Sequence, residues 1–291
     1  MAGYNAGMRL PSGRTIRVAV GVLALIAAAG IGVSAVWWWF PGQDLEAWRS
    51  GPPARTWARW QRQDDVWREA GLRRTPRHEY VALESIPIDL QLAVLVNEDI
   101  NFFGHGAVDT EAVGEALGEW WEGSRLRGAS TISQQLARTL FLSSERSVWR
   151  KLEELRLAWW MERRLGKKRI LELYLNVVEF GPGLFGVQAA STHYHGVVVA
   201  DLLPDQAAGL AATLPSPGRD NPATATGLWE LRRATILRRM EGARWLRERL
   251  AAISGVRIPA PPIETPSPTP APAPTTAETA PSATGAEESV E

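Results

Sequence analysis

Between Glu98 and Glu154 the chain gathers the side chains that could do chemistry. The stretch opens with Glu98-Asp99-x-x-Phe102-x-x-His105. It passes through Gly128-Ala129-Ser130-Thr131-Ile132-Ser133-Gln134-Gln135 and closes with Arg150-Lys151-x-x-Glu154. Two acids, a hydroxyl- and amide-rich turn and a cationic helix face within one short region suit the transfer of a sugar away from a phosphate leaving group.

Taken singly, these pieces are weak. On a helix Lys151 and Glu154 are three apart and share a face, but such a triplet is most often a solvated, salt-bridged surface. An acidic pair such as Glu98-Asp99 is most often an exposed turn. The middle segment changes the weighing. Gly128, Ala129, Ser130 and Thr131 are small enough for a ligand to approach the backbone. Ser130, Thr131, Gln134 and Gln135 supply uncharged donors and acceptors, and Arg138 and Arg146 follow. Together they could cradle a pyrophosphate beside a sugar. The chain has three lysines, Lys151, Lys167 and Lys168, all at or beside this region. A lysine ammonium is a compact charge able to follow a moving phosphate oxygen, where arginine offers a fixed fork.

Composition sets the outer limits. The 291 residues carry a net charge of +0, which gives no global attraction to nucleic acid. Without cysteine there is no thiol nucleophile, disulfide or thiolate metal site. Of the four histidines only His193-x-His195 is a close pair, and no third ligand lies near it, so no metal centre is expected.

The elements that must carry the site are mostly helical. Val18 to Phe40 lacks charge, and about 23 helical residues reach roughly 35 Å, enough to cross a hydrocarbon core. Arg9, Arg14 and Arg17 precede this run, while Asp44 and Glu46 follow it, which places the N-terminus in the cytoplasm and the remainder outside. Trp37-Trp38-Trp39 stands where an interfacial aromatic belt would lie. A cleaved signal peptide ending at Val33-Ser34-Ala35 is the competing reading, against which the length of the run and the bulky tryptophans argue. The expected order is a cytoplasmic segment 1–17, an anchor 18–40, a connector 41–80, a catalytic domain 81–256, and a tail 257–291 too rich in Pro, Ala and Thr to fold. Within the domain, Leu90, Ala93, Val94 and Val96 lead helically into Glu98. A helix over 146–165 is expected to bury Val148, Leu152, Leu155, Ala158 and Trp159 and to stop at Gly166. Others are expected over 167–180, 204–214 and 227–253, with no sustained strand alternation.

At these residues the sequence resembles the peptidoglycan glycosyltransferase family, the membrane-bound enzymes that polymerise lipid II. The resemblance covers about Val81 to Pro222 in five ordered blocks. To the three above, extended to Asp109 and back to Arg127, it adds Lys168-x-Ile170-Leu171-Glu172-x-Tyr174-Leu175-Asn176 with Phe180-Gly181, and Ala207-Ala208 into Leu214-Pro215-x-Pro217. It implies a mainly α, lysozyme-like domain behind one N-terminal transmembrane helix, single-pass in the bacterial inner membrane with the catalytic domain in the periplasm. By position, Glu98 would be the general base that deprotonates the acceptor 4-hydroxyl. Glu154 would support the donor side. Asp99, Phe102, His105, Ser130, Thr131, Gln134, Gln135, Arg138, Arg146, Arg150 and Lys151 would contact sugar and phosphate. An α-linked pyrophosphate would become a β-1,4 bond with inversion. A pyrophosphate already leaves well and needs cations, whereas an alcohol is a poor nucleophile and needs a base. No cofactor is required by this scheme, with a divalent cation (Mg or Mn) as an optional companion of the pyrophosphate. The implied partners are lipid II, the growing lipid-linked glycan, the membrane, and cell-wall synthesis or division proteins. The family usually has Gly where Ala107 stands, Lys at Arg138, Ala at Leu155 and an aromatic at His195.

Two neighbouring functions remain to be separated. A lytic transglycosylase would share the fold and the glycan but cleave with essentially one acid. A silent scaffold would keep the fold and the anchor without turnover. From the length, and because no serine stands three residues before any lysine, no transpeptidase half is expected.

Overall fold

The eleven residues Ile88–Glu98 form a helix (α1) with almost no solvent face; Leu90, Leu92, Ala93, Val94 and Leu95 are all 0% exposed. Apolar residues at every angle of the helix, rather than along one stripe, make it a central strut. In this computed structural model the described residues are 42–50, 78–114, 130–142, 145 and 147–255, with isolated positions 25, 28–30, 32, 34, 36, 38, 39, 52, 53 and 56. Around α1 pack α5 (Pro204–Ala211), α6 (Gly227–Gly242) and α7 (Arg244–Ser254). A second cluster is the pair α2 (Ile132–Phe141) and α3 (Val148–Val177), which pack on each other. A short antiparallel hairpin, β1 (Glu179–Gly181) with β2 (Leu184–Phe185), and α4 (Val187–His195) complete the described domain, which is mainly helical.

Several expectations change. The hydroxyl- and amide-rich turn is the capped start of a helix. The Thr131 side chain accepts from the Gln134 N–H, and Asp99 Oδ2 accepts from the Ile132 N–H at 3.0 Å. Two of the orphan donors of a helix start are thereby satisfied, which lets Ser133, Gln134 and Gln135 sit in a first turn. The helix over 146–165 begins at Val148, capped by Ser147, and buries Ala158 as expected, but on a face turned away from Val148 and Leu152. Val148, Trp149 and Leu152 are exposed, at 80%, 61% and 41%, whereas Glu154, Leu157, Ala158 and Met161 are buried. Turning Glu154 inward sends those apolar side chains outward. The helix expected over 167–180 ends at Val177, where the chain enters the hairpin; that over 204–214 ends at Ala211. The helix expected over 227–253 breaks at Ala243 (φ −99°, ψ 41°), because the buried stripe of Trp229, Ile236 and Met240 changes phase before Leu246 and Leu250.

The stop expected at Gly166 is there: Gly166 is non-helical (φ 77°, ψ 163°) and is the kink between the two halves of α3. That backbone region favours glycine. Its tighter counterpart is Gly186 (φ 81°), where a Cβ would come within 2.6 Å of the Asn176 carbonyl oxygen. Asn176 also straps the domain entrance to α3, accepting from the Val81 N–H at 2.8 Å and donating to the Val81 carbonyl at 2.9 Å.

The connector is represented by the turn Glu46–Trp48, whose Trp48 is buried against Phe141 (5.7 Å between rings) and accepts through its carbonyl from Arg169 Nε at 2.9 Å. The expected anchor 18–40 lies mostly outside the described residues; those described within it are helical, and Leu25, Val36, Trp38 and Trp39 are exposed. Trp38 meets α3, its carbonyl accepting from Trp160 Nε1 at 2.9 Å. Among the described residues no helix is long and apolar enough to cross a membrane. The expected tail 257–291 lies outside the described residues.

Candidate active site

Glu98 is the last residue of α1, so its carboxylate is carried by the most thoroughly packed element of the molecule. Both oxygens meet neutral donors: Asn97 Nδ2 donates to Oε1 at 2.6 Å and Gln135 Nε2 to Oε2 at 2.9 Å. Burial pushes the carboxyl above its ordinary range. The hydrogen bonds from Gln135 and Asn97 and the Arg138 charge oppose that rise, and neighbouring Asp99 adds to it. A carboxylate held by neutral groups and destabilised by its surroundings is basic for its kind. It faces a cleft of about 200 Å³ that also receives Asp99, Asn101, Asp109, Ser130 and Arg239.

Asp99 joins the two helical clusters. Its Oδ2 caps α2, and its Oδ1 lies 2.6 Å from His105 Nε2. The other ring nitrogen of His105 is 2.6 Å from the Gly106 carbonyl, and Asp109 Oδ2 lies 3.7 Å from Nε2. Burial alone would lower the imidazole, but the Asp99 hydrogen bond, the Gly106 carbonyl and the Asp99 charge together raise it. His105 therefore holds Asp99 instead of pointing at the cleft. The loop just after His105 is fixed at Ala107, whose carbonyl accepts from Thr131 Oγ1 at 3.0 Å and from Gln134 Nε2 at 2.7 Å. Those bonds use backbone, and Ala107 is not among the positive-φ residues, so alanine fits where glycine is usual.

Glu154 is arranged differently. It is 1% exposed, and both its oxygens meet cations: Lys151 Nζ at 2.7 Å from Oε1 and Arg150 Nη1 at 2.7 Å from Oε2. Lys151 Nζ also donates to Gln134 Oε1 at 2.8 Å and to Ser130 Oγ at 3.1 Å. Ser130 reaches the cleft, so a chain Glu154–Lys151–Ser130 runs from the buried acid to the wall. The acid fixes cations that an anion could meet. A divalent cation bound to Glu154 would share that carboxylate with Lys151 and Arg150, and the donor set does not fit one there without displacing a partner.

The structure thus pairs Glu98 with Gln135, ties Asp99 to His105 and to the start of α2, and sets Thr131 and Gln134 on the Ala107 carbonyl; Ser130, Lys151, Arg150 and Glu154 form a second set joined at Gln134. Arg138 is exposed on α2. Phe102 is 0% exposed, with the Lys167 ammonium 4.2 Å from its ring centroid, so it supports the loop from within the core. Arg146, Arg127, Gly128 and Ala129 lie outside the described residues. Of the three lysines, Lys151 enters the site; Lys167 pairs with Glu162 and Lys168 with Glu84. Sequence reasoning did not single out Asn97, Arg239 or Tyr174 as site residues. Arg239 lines the cleft from α6 and donates to the Val96 carbonyl at 3.2 Å.

The Transglycosylase family model matches residues 65–241. The chain is 44% identical over 163 residues to the biosynthetic peptidoglycan transglycosylase of Methylobacillus flagellatus, covering 55% of this chain and 70% of that protein. The protein of the same description from Shewanella oneidensis is 45% identical over 164 residues, with 56% and 70% covered. That from Bordetella pertussis is 43% identical over 173 residues, also with 56% and 70% covered.

Proposed function

The chain belongs to the transglycosylase family, and from that premise we infer that it is a peptidoglycan glycosyltransferase acting on lipid II in cell-wall synthesis, with Glu98 as its base and Glu154 as its donor-side support. The observation that carries the division of labour is the contrast between the two carboxylates. Glu98 meets two neutral amides and is raised by burial; Glu154 meets two cations. An acid that must take a proton needs the first environment. One that must present positive charge to a departing pyrophosphate needs the second.

In this reading Glu98 takes the proton of the acceptor 4-hydroxyl as that oxygen attacks the anomeric carbon of the donor. The bond to the pyrophosphate breaks on the opposite face, which inverts the anomeric centre and gives a β-1,4 linkage. Lys151 and Arg150, held by Glu154, and Ser130 receive the charge that develops on the leaving group. Asp99 and His105 keep the first loop on α2, so the base and the donor cations stay in register. No step is routed through a metal. Residues 18–40 would anchor the enzyme in the bacterial inner membrane with the domain in the periplasm and a lysozyme-like fold around the cleft, so that enzyme and lipid substrate share one surface.

The test is polymerisation of purified lipid II by the full chain. Wild type is expected to make glycan strands, and Glu98→Gln to slow the reaction by about 10²–10⁴-fold. An inert wild type, with detergent and divalent cation supplied, would overturn the enzyme reading. Products with 1,6-anhydro ends released from polymer would instead mark a lytic enzyme.

A further inference from the structure

Tyr174 stands on the second half of α3, 1% exposed, and its hydroxyl donates to Gln135 Oε1 at 2.9 Å. Gln135 Nε2 donates onward to Glu98 Oε2. A primary amide has the same shape either way round and opposite polarity at its two ends. Turned over, it would set oxygen against oxygen at Glu98 unless the acid were protonated. The phenol favours the productive orientation because it remains a donor: burial first, then the Glu98 charge, holds its ionisation well above the ordinary tyrosine value. Donation into the amide oxygen also polarises the amide N–H toward Glu98.

We propose that Tyr174 is a positioning residue for glycosyl transfer: through Gln135 it keeps an amide nitrogen toward Glu98, so that the base stays an ionised, oriented carboxylate facing the acceptor hydroxyl. The proposal rests on the reading of Glu98 as the base. Without the hydroxyl, Gln135 Oε1 loses a donor in an enclosed site. It is relieved either by rotating away from Glu98 or by accepting a hydrogen bond from a protonated Glu98. Either way the carboxylate loses one of its two neutral donors, and Asn97 holds it alone.

The same geometry separates positioning from packing. Phenylalanine has nearly the volume of tyrosine and would fill the site between α3 and α2, so a role in packing alone predicts little change. A role through Gln135 predicts a change in the acid limb of the pH profile and dependence on Gln135.

The experiment compares the full-length wild type, Tyr174→Phe, Gln135→Ala, the double variant and Glu98→Gln in lipid II polymerisation between pH 5 and 9. For Tyr174→Phe we expect kcat on the acid side of the profile to fall about tenfold with KM nearly unchanged. The acid limb should rise by about one pH unit, so that the deficit shrinks toward pH 9. In the Gln135→Ala background the same substitution should have no further effect. A wild-type kcat and acid limb in Tyr174→Phe overturns the proposal. So do effects that multiply in the double variant, or a fall in kcat with an unmoved acid limb and a lowered Tm. Glu98→Gln reports on the premise separately: if it polymerises like wild type, the base assignment falls, and the positioning role with it.

Discussion

At the scale of single residues the site separates acids by their neighbours rather than by their type. Glu98 is held as a carboxylate against a burial that favours its protonated form, so its acid limb should lie above the ordinary carboxyl value of 4.5. The stability consequence has a definite sign. The folded state binds this proton more tightly than the unfolded chain, so Glu98 costs stability as pH rises through its folded value. Glu98→Gln should therefore raise Tm at neutral pH while removing activity, a trade typical of catalytic groups held in unfavourable surroundings. His105 has the opposite chemistry but the same direction. Its raised imidazole contributes stability that is fully present below the ordinary value of 6.5 and is lost as pH rises through the folded value. Thermal unfolding from pH 6 to 9 should show a larger fall in Tm for wild type than for His105→Gln.

At the scale of elements, backbone conformation sets which changes the fold tolerates. Gly166→Ala meets open space but must hold φ 77° with ψ 163°, a region left almost wholly to glycine, and about 2 kcal/mol of destabilisation is expected. Gly186→Ala adds a Cβ against the Asn176 carbonyl to a comparable φ, so chemical denaturation should show it losing clearly more, about 3 kcal/mol. These elements were unevenly legible in the sequence. The dense apolar run of α1 and the interruption at Gly166 could be read directly. The start of α2 could not, because Thr, Ser and Gln resemble a turn until Asp99, 33 residues earlier, accepts from the Ile132 N–H. The break at Ala243 carries no proline and shows only as a change of phase between two buried stripes. Within the site, Glu98, Glu154, Lys151 and Ser130 stood out by residue type. Tyr174 did not, since its bond to Gln135 spans 39 residues and an apolar helical stripe already explains a tyrosine there.

At the scale of the whole molecule, Glu98 and Glu154 belong to different helical clusters, joined where Asp99 caps α2 and Gln135 meets Glu98. Burial of α1 makes one side rigid, at about 1.5–3 kcal/mol for each large apolar side chain enclosed. The connector secures the other, with Trp48 held on α3 by Arg169. Deleting residues 1–40 should therefore leave polymerisation in detergent within about threefold of wild type. In lipid vesicles, where the run 18–40 would confine enzyme and substrate to one surface, the initial rate should fall by about tenfold or more. Equal rates in vesicles would remove the anchor from the account.

The kink at Gly166 divides α3 into two levers. Arg150, Lys151 and Glu154 ride on the first, and Tyr174, which leads through Gln135 to Glu98, rides on the second. Both halves bear on α2, Lys151 through Gln134 and Tyr174 through Gln135, so the angle at one glycine governs whether the two can grip that helix at once.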